Sequence, residues 1–190
     1  MRAMEDMIRR NGQVLPGNVL KVGSFLNQQL DVAFLHEVGK EIARLFSESG
    51  VTKVITIEAS GIAIAVMAAL ELHVPAVIVK KHSSVNQSKD VYTAEISSFT
   101  HKNTYTAAVA KEYLNKNDRI LIVDDFLAMG NAIEGLRKII ADAGAELAGC
   151  AIAIEKAFQG GGDALRREGI RVESLAMIES MQDGVVTFRP

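Results

Sequence analysis

Arg119-Ile120-Leu121-Ile122-Val123-Asp124-Asp125-Phe126-Leu127-Ala128-Met129-Gly130-Asn131-Ala132 runs from aliphatic residues through an acidic pair into a turn of small residues and a helix start. Four aliphatic residues in a row, 120–123, are the pattern of a strand buried on both faces. Residues 133–143 then read as an amphipathic helix, with Ile133, Leu136, Ile139 and Ile140 on one face and Gly144 as its stop. A buried strand that feeds a helix through a tight turn is half of a parallel strand–helix–strand unit.

The same rhythm repeats outward from this stretch. Residues 54–57 are a short apolar strand ending in the turn Glu58-Ala59-Ser60-Gly61, and residues 62–72 follow as an Ala- and Leu-rich helix. Residues 76–79 form a second strand that stops at Lys80-Lys81; residues 148–154 and 174–178 supply two more. Residues 32–46 carry helical periodicity with Asp31 as N-cap. The alternation predicts an α/β fold, a mostly parallel sheet flanked by helices with right-handed crossovers.

Two stretches break the rhythm. Residues 12–30 contain Pro16, Gly17 and Gly23 and form a small irregular N-terminal lobe. Residues 82–106 are polar and rich in Ser, Thr and Asn; so long an insertion in a compact domain is functional or mobile. Residues 92–98 and 104–109 within it pair as a hairpin.

At 190 residues the chain suits one domain, 1–190, able to bury a core without cross-links. Apolar residues are 48% and charged residues 23%, which excludes a disordered chain. Lys plus Arg number 21 against 23 acids, so there is no basic excess to coat nucleic acid or an anionic membrane. No apolar run reaches the roughly 20 residues that span a bilayer, and the N-terminus is acidic where a signal peptide is apolar. A cytoplasmic location is expected. The single Cys150 leaves no internal disulfide and no thiolate metal cluster within one chain, and its strand pattern makes it a core residue. His36, His73, His82 and His101 share no metal-ligand spacing.

In parallel sheets, ligands bind beyond the carboxyl ends of the strands. Three such ends are polar here: Glu58 with Ser60 and Gly61, Lys80-Lys81, and Asp124-Asp125. The turn after the acidic pair presents backbone N–H groups at the positive end of a helix, a cradle for phosphate. Gly130 and the alanines let an anion approach closely, and the adjacent carboxylates can accept hydrogen bonds from two vicinal hydroxyls. A phosphate receptor beside a diol receptor points to a phosphorylated ribose.

Val123-Asp124-Asp125 followed by Ala128-Met129-Gly130-Asn131-Ala132 resembles the phosphoribosyl-diphosphate signature of type I phosphoribosyltransferases. The resemblance extends from about Val19 to Lys156. Ser24-Phe25-Leu26-Asn27-Gln28-Gln29 and the alanines at 128 and 132 resemble the bacterial xanthine branch. Relatives outside it carry hydroxyl residues in this loop; with Ala128 and Ala132, phosphate must lean on backbone N–H groups.

The resemblance implies the type I fold, with its hood largely within 12–30 and a mobile lid at about 82–106, and a homodimer. It implies transfer of phosphoribose to N9 of xanthine, giving xanthosine 5′-monophosphate and diphosphate, with Mg²⁺ bound to the diphosphate substrate. Asp124 and Asp125 would be catalytic, and Ala128, Met129, Gly130, Asn131 and Ala132 would hold the phosphoribosyl group. Glu58, Ser60, Gly61, Lys80 and Lys81 would meet the diphosphate, and Leu20, Asn27 and Lys156 the purine. No protein metal site is implied. An ammonium only donates, so Lys156 suits a 6-oxo purine and disfavours adenine. Asn27 can donate to a 2-oxo group or, rotated, accept from a 2-amino group, so residue chemistry leaves xanthine and guanine open. Two alternatives stand beside this reading: a guanine or hypoxanthine phosphoribosyltransferase, and a non-catalytic sensor of phosphoribosyl diphosphate. Such a sensor would require a nucleic-acid-binding element.

Overall fold

The computed structural model of the chain describes residues 1–81, 90–97, 104–182 and 184–189. In chain order the elements are α1 (Arg2–Asn11), β1 (Gln13–Leu15), β2 (Val19–Lys21), α2 (Val32–Phe46), β3 (Lys53–Ile57), α3 (Ile62–Leu72), β4 (Ala76–Lys81), β5 (Val91–Ser97), β6 (Thr104–Ala110), β7 (Arg119–Leu127), α4 (Asn131–Asp142), β8 (Glu146–Lys156), α5 (Gly161–Arg167), β9 (Val172–Gln182) and β10 (Val185–Phe188). The strands other than β1 and β2 form one sheet ordered β10-β9-β8-β7-β3-β4-β6-β5. Its centre, β9-β8-β7-β3-β4, is parallel; β10 and the β5–β6 hairpin add antiparallel edges.

Each central strand is aliphatic because both faces are covered. On one face α1, α2 and α3 pack with the hood, around Met4, Leu26, Ile42, Ile64 and Leu121. On the other, α4 packs with the hairpin around Ile96, Ile122, Leu136 and Ile139. Asp31 caps α2, its carboxylate accepting from the Phe34 N–H at 3.0 Å. Cys150 is fully buried in β8. Among the described residues no helix is long and apolar enough to cross a membrane.

The hairpin within 82–106 is present, Tyr92 opposite Val109 and Ser97 opposite Thr104. The rest of the expected lid, residues 82–89 and 98–103 with His82 and His101, lies outside the described residues. Of the other histidines, His36 pairs with Glu71 at 2.7 Å and His73 ends α3 in a left-handed conformation. The 12–30 lobe is more ordered than its composition suggests. β1 and β2 pair antiparallel, and Gly23–Asn27 makes one wide helical turn.

The acidic pair is not at a strand mouth, as the sequence suggests, but inside β7. That strand runs to Leu127 because β8 extends alongside it, pairing Asp124 with Ile152 and Phe126 with Ile154. On the other flank β3 pairs with β7 only as far as Ile55 opposite Ile122. From Val123 onward β7 keeps one neighbour and loses the other. The crevice that opens between them lies where the strand order reverses, the usual ligand position in such sheets.

Candidate active site

Asp124 stands at the base of this crevice and Asp125 beside it. Asp124 is only 8% exposed, and one of its carboxylate oxygens accepts the Asp125 N–H at 2.9 Å. Burial, reinforced by the neighbouring Asp125 charge, pushes the Asp124 carboxyl well above the usual aspartate range. Asp125 is half-buried, and its Oδ2 accepts from Asn27 Nδ2 at 3.3 Å. The hood thus reaches the acidic pair directly.

Beyond β7, residues 128–130 turn the chain into α4. Gly130 sits at φ +92°, a left-handed conformation that side-chain-bearing residues rarely adopt. The 12-residue helix starts at Asn131 and directs the positive end of its dipole at this turn. The turn is braced from two sides: Asn131 Nδ2 donates to the Ser97 carbonyl at 2.9 Å, and the Gly161 N–H donates to the Ala128 carbonyl at 3.1 Å. A Cβ on Gly161 would lie 2.3 Å from that carbonyl oxygen, so only glycine permits the contact. A cleft lined by Lys81, Ser97, Tyr105, Phe126 and Met129 runs along the turn.

The β3 and β4 ends form the next wall. The Glu58–Ala59 peptide is cis. Glu58 accepts the Lys81 N–H at 2.7 Å and pairs with Lys80 at 3.2 Å. Lys81 lies 5.2 Å from the centre of the Tyr105 ring, and Ser60 is exposed. Gly61 is buried against Asp124: a Cβ there would lie 3.0 Å from the carboxylate.

Lys156 is the last residue of β8, which runs two residues beyond the strand expected at 148–154. Its ammonium donates to the Asn18 carbonyl at 2.9 Å and stands 5.5 Å from the Phe126 ring. Half-burial lowers its pKa. Asn18 adopts a left-handed conformation in the turn between β1 and β2. Lys156 and Asn27 therefore both connect the hood to the strand ends, whereas the Leu20 side chain is buried within the core cluster.

Sequence reasoning missed Phe126, Tyr105 and Asn18 as neighbours of these groups. Phe126 had a signal, an aromatic residue at the polar end of an aliphatic strand. Asn18 had none, because it contributes a carbonyl that any residue carries. Among the described residues no three His, Cys, Asp or Glu gather into a metal-holding group.

The pattern of the phosphoribosyl transferase domain family matches residues 28–171. The xanthine phosphoribosyltransferase of Pseudomonas entomophila is 50% identical over 188 residues, which is 99% of this chain and 99% of that protein. That of Lachnoclostridium phytofermentans is 49% identical over 191 residues, covering 100% and 98%. Among solved structures, adenine phosphoribosyltransferase from Giardia lamblia in complex with 9-deazaadenine superimposes with a TM-score of 0.78 at 20% identity, covering 93% of this chain and 98% of that one. At that identity the superposition speaks for the fold alone.

Proposed function

The chain belongs to the phosphoribosyl transferase family, and from that premise we propose that it transfers phosphoribose from 5-phospho-α-D-ribose 1-diphosphate to N9 of xanthine. The products are xanthosine 5′-monophosphate and diphosphate, a purine-salvage reaction. The observation that carries the reading is near-50% identity over the whole chain to enzymes named for xanthine, in a molecule whose acidic pair lies where β3 departs from β7 and leads into the phosphate-type turn.

In the proposed mechanism the 5′-phosphate lies on the backbone N–H groups of residues 128–132 at the α4 dipole. Asp124 and Asp125 accept from the ribose hydroxyls and offset the positive charge that grows on the ring as the C1′–oxygen bond breaks. Glu58, Ser60, Gly61, Lys80 and Lys81 face the departing diphosphate, and Glu58 holds Lys80 in place for it. Lys156 donates to the purine 6-oxo group and Asn27 to the 2-oxo group, with Leu20 supporting them from the core. N9 forms the new bond to C1′ and its proton leaves to solvent.

Mg²⁺ is proposed as the companion of the diphosphate, where it would neutralise the leaving group. Asp124 and Asp125 border the crevice, where their carboxylates would meet a cation that arrives with substrate.

A second copy of the chain is proposed as partner. α3 is apolar on nearly every side, and its Val66 and Leu70 remain 47% and 59% exposed. Sedimentation at micromolar concentration giving only the 20.5 kDa species would overturn that part. A cytoplasmic setting belongs to the same reading.

Turnover on a panel of xanthine, guanine, hypoxanthine and adenine with phosphoribosyl diphosphate, with and without Mg²⁺, tests the whole. Xanthine should be preferred, adenine inactive, and chelation should stop the reaction. Binding of phosphoribosyl diphosphate without turnover on any purine would replace the enzyme with a sensor.

A further inference from the structure

Next to Lys156 in the chain is Glu155, a buried carboxylate in an ion pair that the reaction does not use. Glu155 is 0% exposed, and its two carboxylate oxygens take a bidentate grip from Arg166, at 2.9 Å for Oε1 and 2.7 Å for Oε2. Ser174 Oγ also donates to Oε2. A Cβ on Gly162 would lie 2.1 Å from Oε1, so glycine is what lets the carboxylate occupy its place. Arg166 further donates to the Val172 carbonyl and pairs with Asp163, which pairs with Arg189, itself paired with Glu179.

Glu155 is fully buried while the Arg166 side chain keeps 30% exposure, and the cost of desolvating the carboxylate offsets much of the attraction between them. The pair can therefore serve a role other than stability. Successive residues of a strand point to opposite faces. A carboxylate held by three hydrogen bonds from Arg166 and Ser174 thus fixes the backbone from which Lys156 projects on the other face. The pair also closes the segment from Glu155 to Arg166. That segment contains Lys156 and Gly161, and Gly161 braces the phosphate-type turn.

We propose that Glu155 and Arg166 are positioning residues for Lys156, their ion pair holding the ammonium where it can meet the 6-oxo group of the purine. The proposal rests on the xanthine-transfer reading. Wild-type turnover with xanthine tests that reading, and the variants below test the proposal.

The neutral double variant Glu155→Gln/Arg166→Met removes both charges while keeping volume and one amide donor. If it folds, its melting temperature should stay close to wild type while KM for xanthine rises about tenfold, with KM for phosphoribosyl diphosphate within about twofold. The decisive comparison is made in a Lys156→Gln background. There the same double change should add little further loss, because residues acting through one ammonium are non-additive. A fold-change in KM that is the same with and without the Lys156 ammonium would overturn the proposal, as would wild-type KM in a folded double variant. Should the double variant fail to fold, Ser174→Ala loosens one carboxylate oxygen and leaves the ion pair intact. It should raise KM for xanthine about two- to threefold, and only when Lys156 is present. No change, or an equal change in both backgrounds, would likewise overturn the proposal.

Discussion

The side-chain amide of Asn27 donates to Asp125 Oδ2 across 3.3 Å, joining the hood to the acidic pair. A carboxylate accepts and cannot donate, so the contact orients the amide, nitrogen toward β7. Asn27→Asp keeps the shape but removes the donor and sets two carboxylates face to face. kcat/KM for xanthine should fall about ten- to hundredfold. Guanine, whose 2-position donates, should lose less. Steady-state kinetics on both purines checks this, and equal losses would mean that only the link to Asp125 matters.

Lys156→Ala removes both the donor expected to face the purine and the tether to the Asn18 carbonyl. kcat/KM for xanthine should drop by about 1.5–3 kcal/mol, while affinity for phosphoribosyl diphosphate stays near wild type. Lys156→Gln, which still donates but without charge, should recover part of the loss. If both variants melt earlier yet retain kcat/KM for xanthine, Lys156 serves only to hold the hood.

Asp124→Asn separates stability from activity. Burial and the Asp125 charge raise the folded pKa of Asp124 above its unfolded value. Its contribution to stability is therefore complete below the unfolded value and is lost as pH rises through the folded one. A neutral amide escapes that loss. The variant should melt higher than wild type at alkaline pH, by about 2–4 °C for each kcal/mol relieved, and the gap should close as the solution is acidified toward the ordinary aspartate range. Transfer should fall about tenfold to over a hundredfold. Calorimetry across pH, paired with turnover, reads both effects; a variant that melts no higher at any pH would contradict the account of Asp124.

Gly161→Ala forces a methyl group to 2.3 Å from the Ala128 carbonyl oxygen, which is backbone and cannot swing aside. The turn at residues 128–130 must shift. Overpacking of this kind costs about 1–3 kcal/mol of stability. KM for phosphoribosyl diphosphate should rise well beyond any change in KM for xanthine. Parallel melting and kinetic measurements decide it, and an unchanged KM for phosphoribosyl diphosphate would remove Gly161 from the support of that turn.

Much of this architecture is written locally. The aliphatic runs of β3, β4, β7 and β8, the Asp31 cap and the stop at Gly144 all follow from periodicity and short-range chemistry. α1 escaped notice although its signal exists: Met4 and Ile8 are one turn apart and buried, with Glu5 in its first turn and Arg9 and Arg10 in its last. α5 and β10 are too short, and too dependent on their neighbours, to stand out. The position of the acidic pair inside β7 depends on how far β8 runs and where β3 departs, both non-local facts. The same holds for the Glu155 pocket: no pattern around residue 155 foretells that Arg166 and Ser174 converge on it.

Cys150 gives the molecule a built-in gauge of its own opening. It is the chain's single cysteine, it is fully buried in β8, and burial pushes its thiol up to about 12. A thiol reagent attacks the thiolate, so the closed protein should resist labelling at neutral pH. Each modified molecule then records an excursion in which the helical layer covering that face of β8 lifted away. Labelling rates measured with and without phosphoribosyl diphosphate would convert ligand binding into a clock on the central sheet, without a single engineered residue.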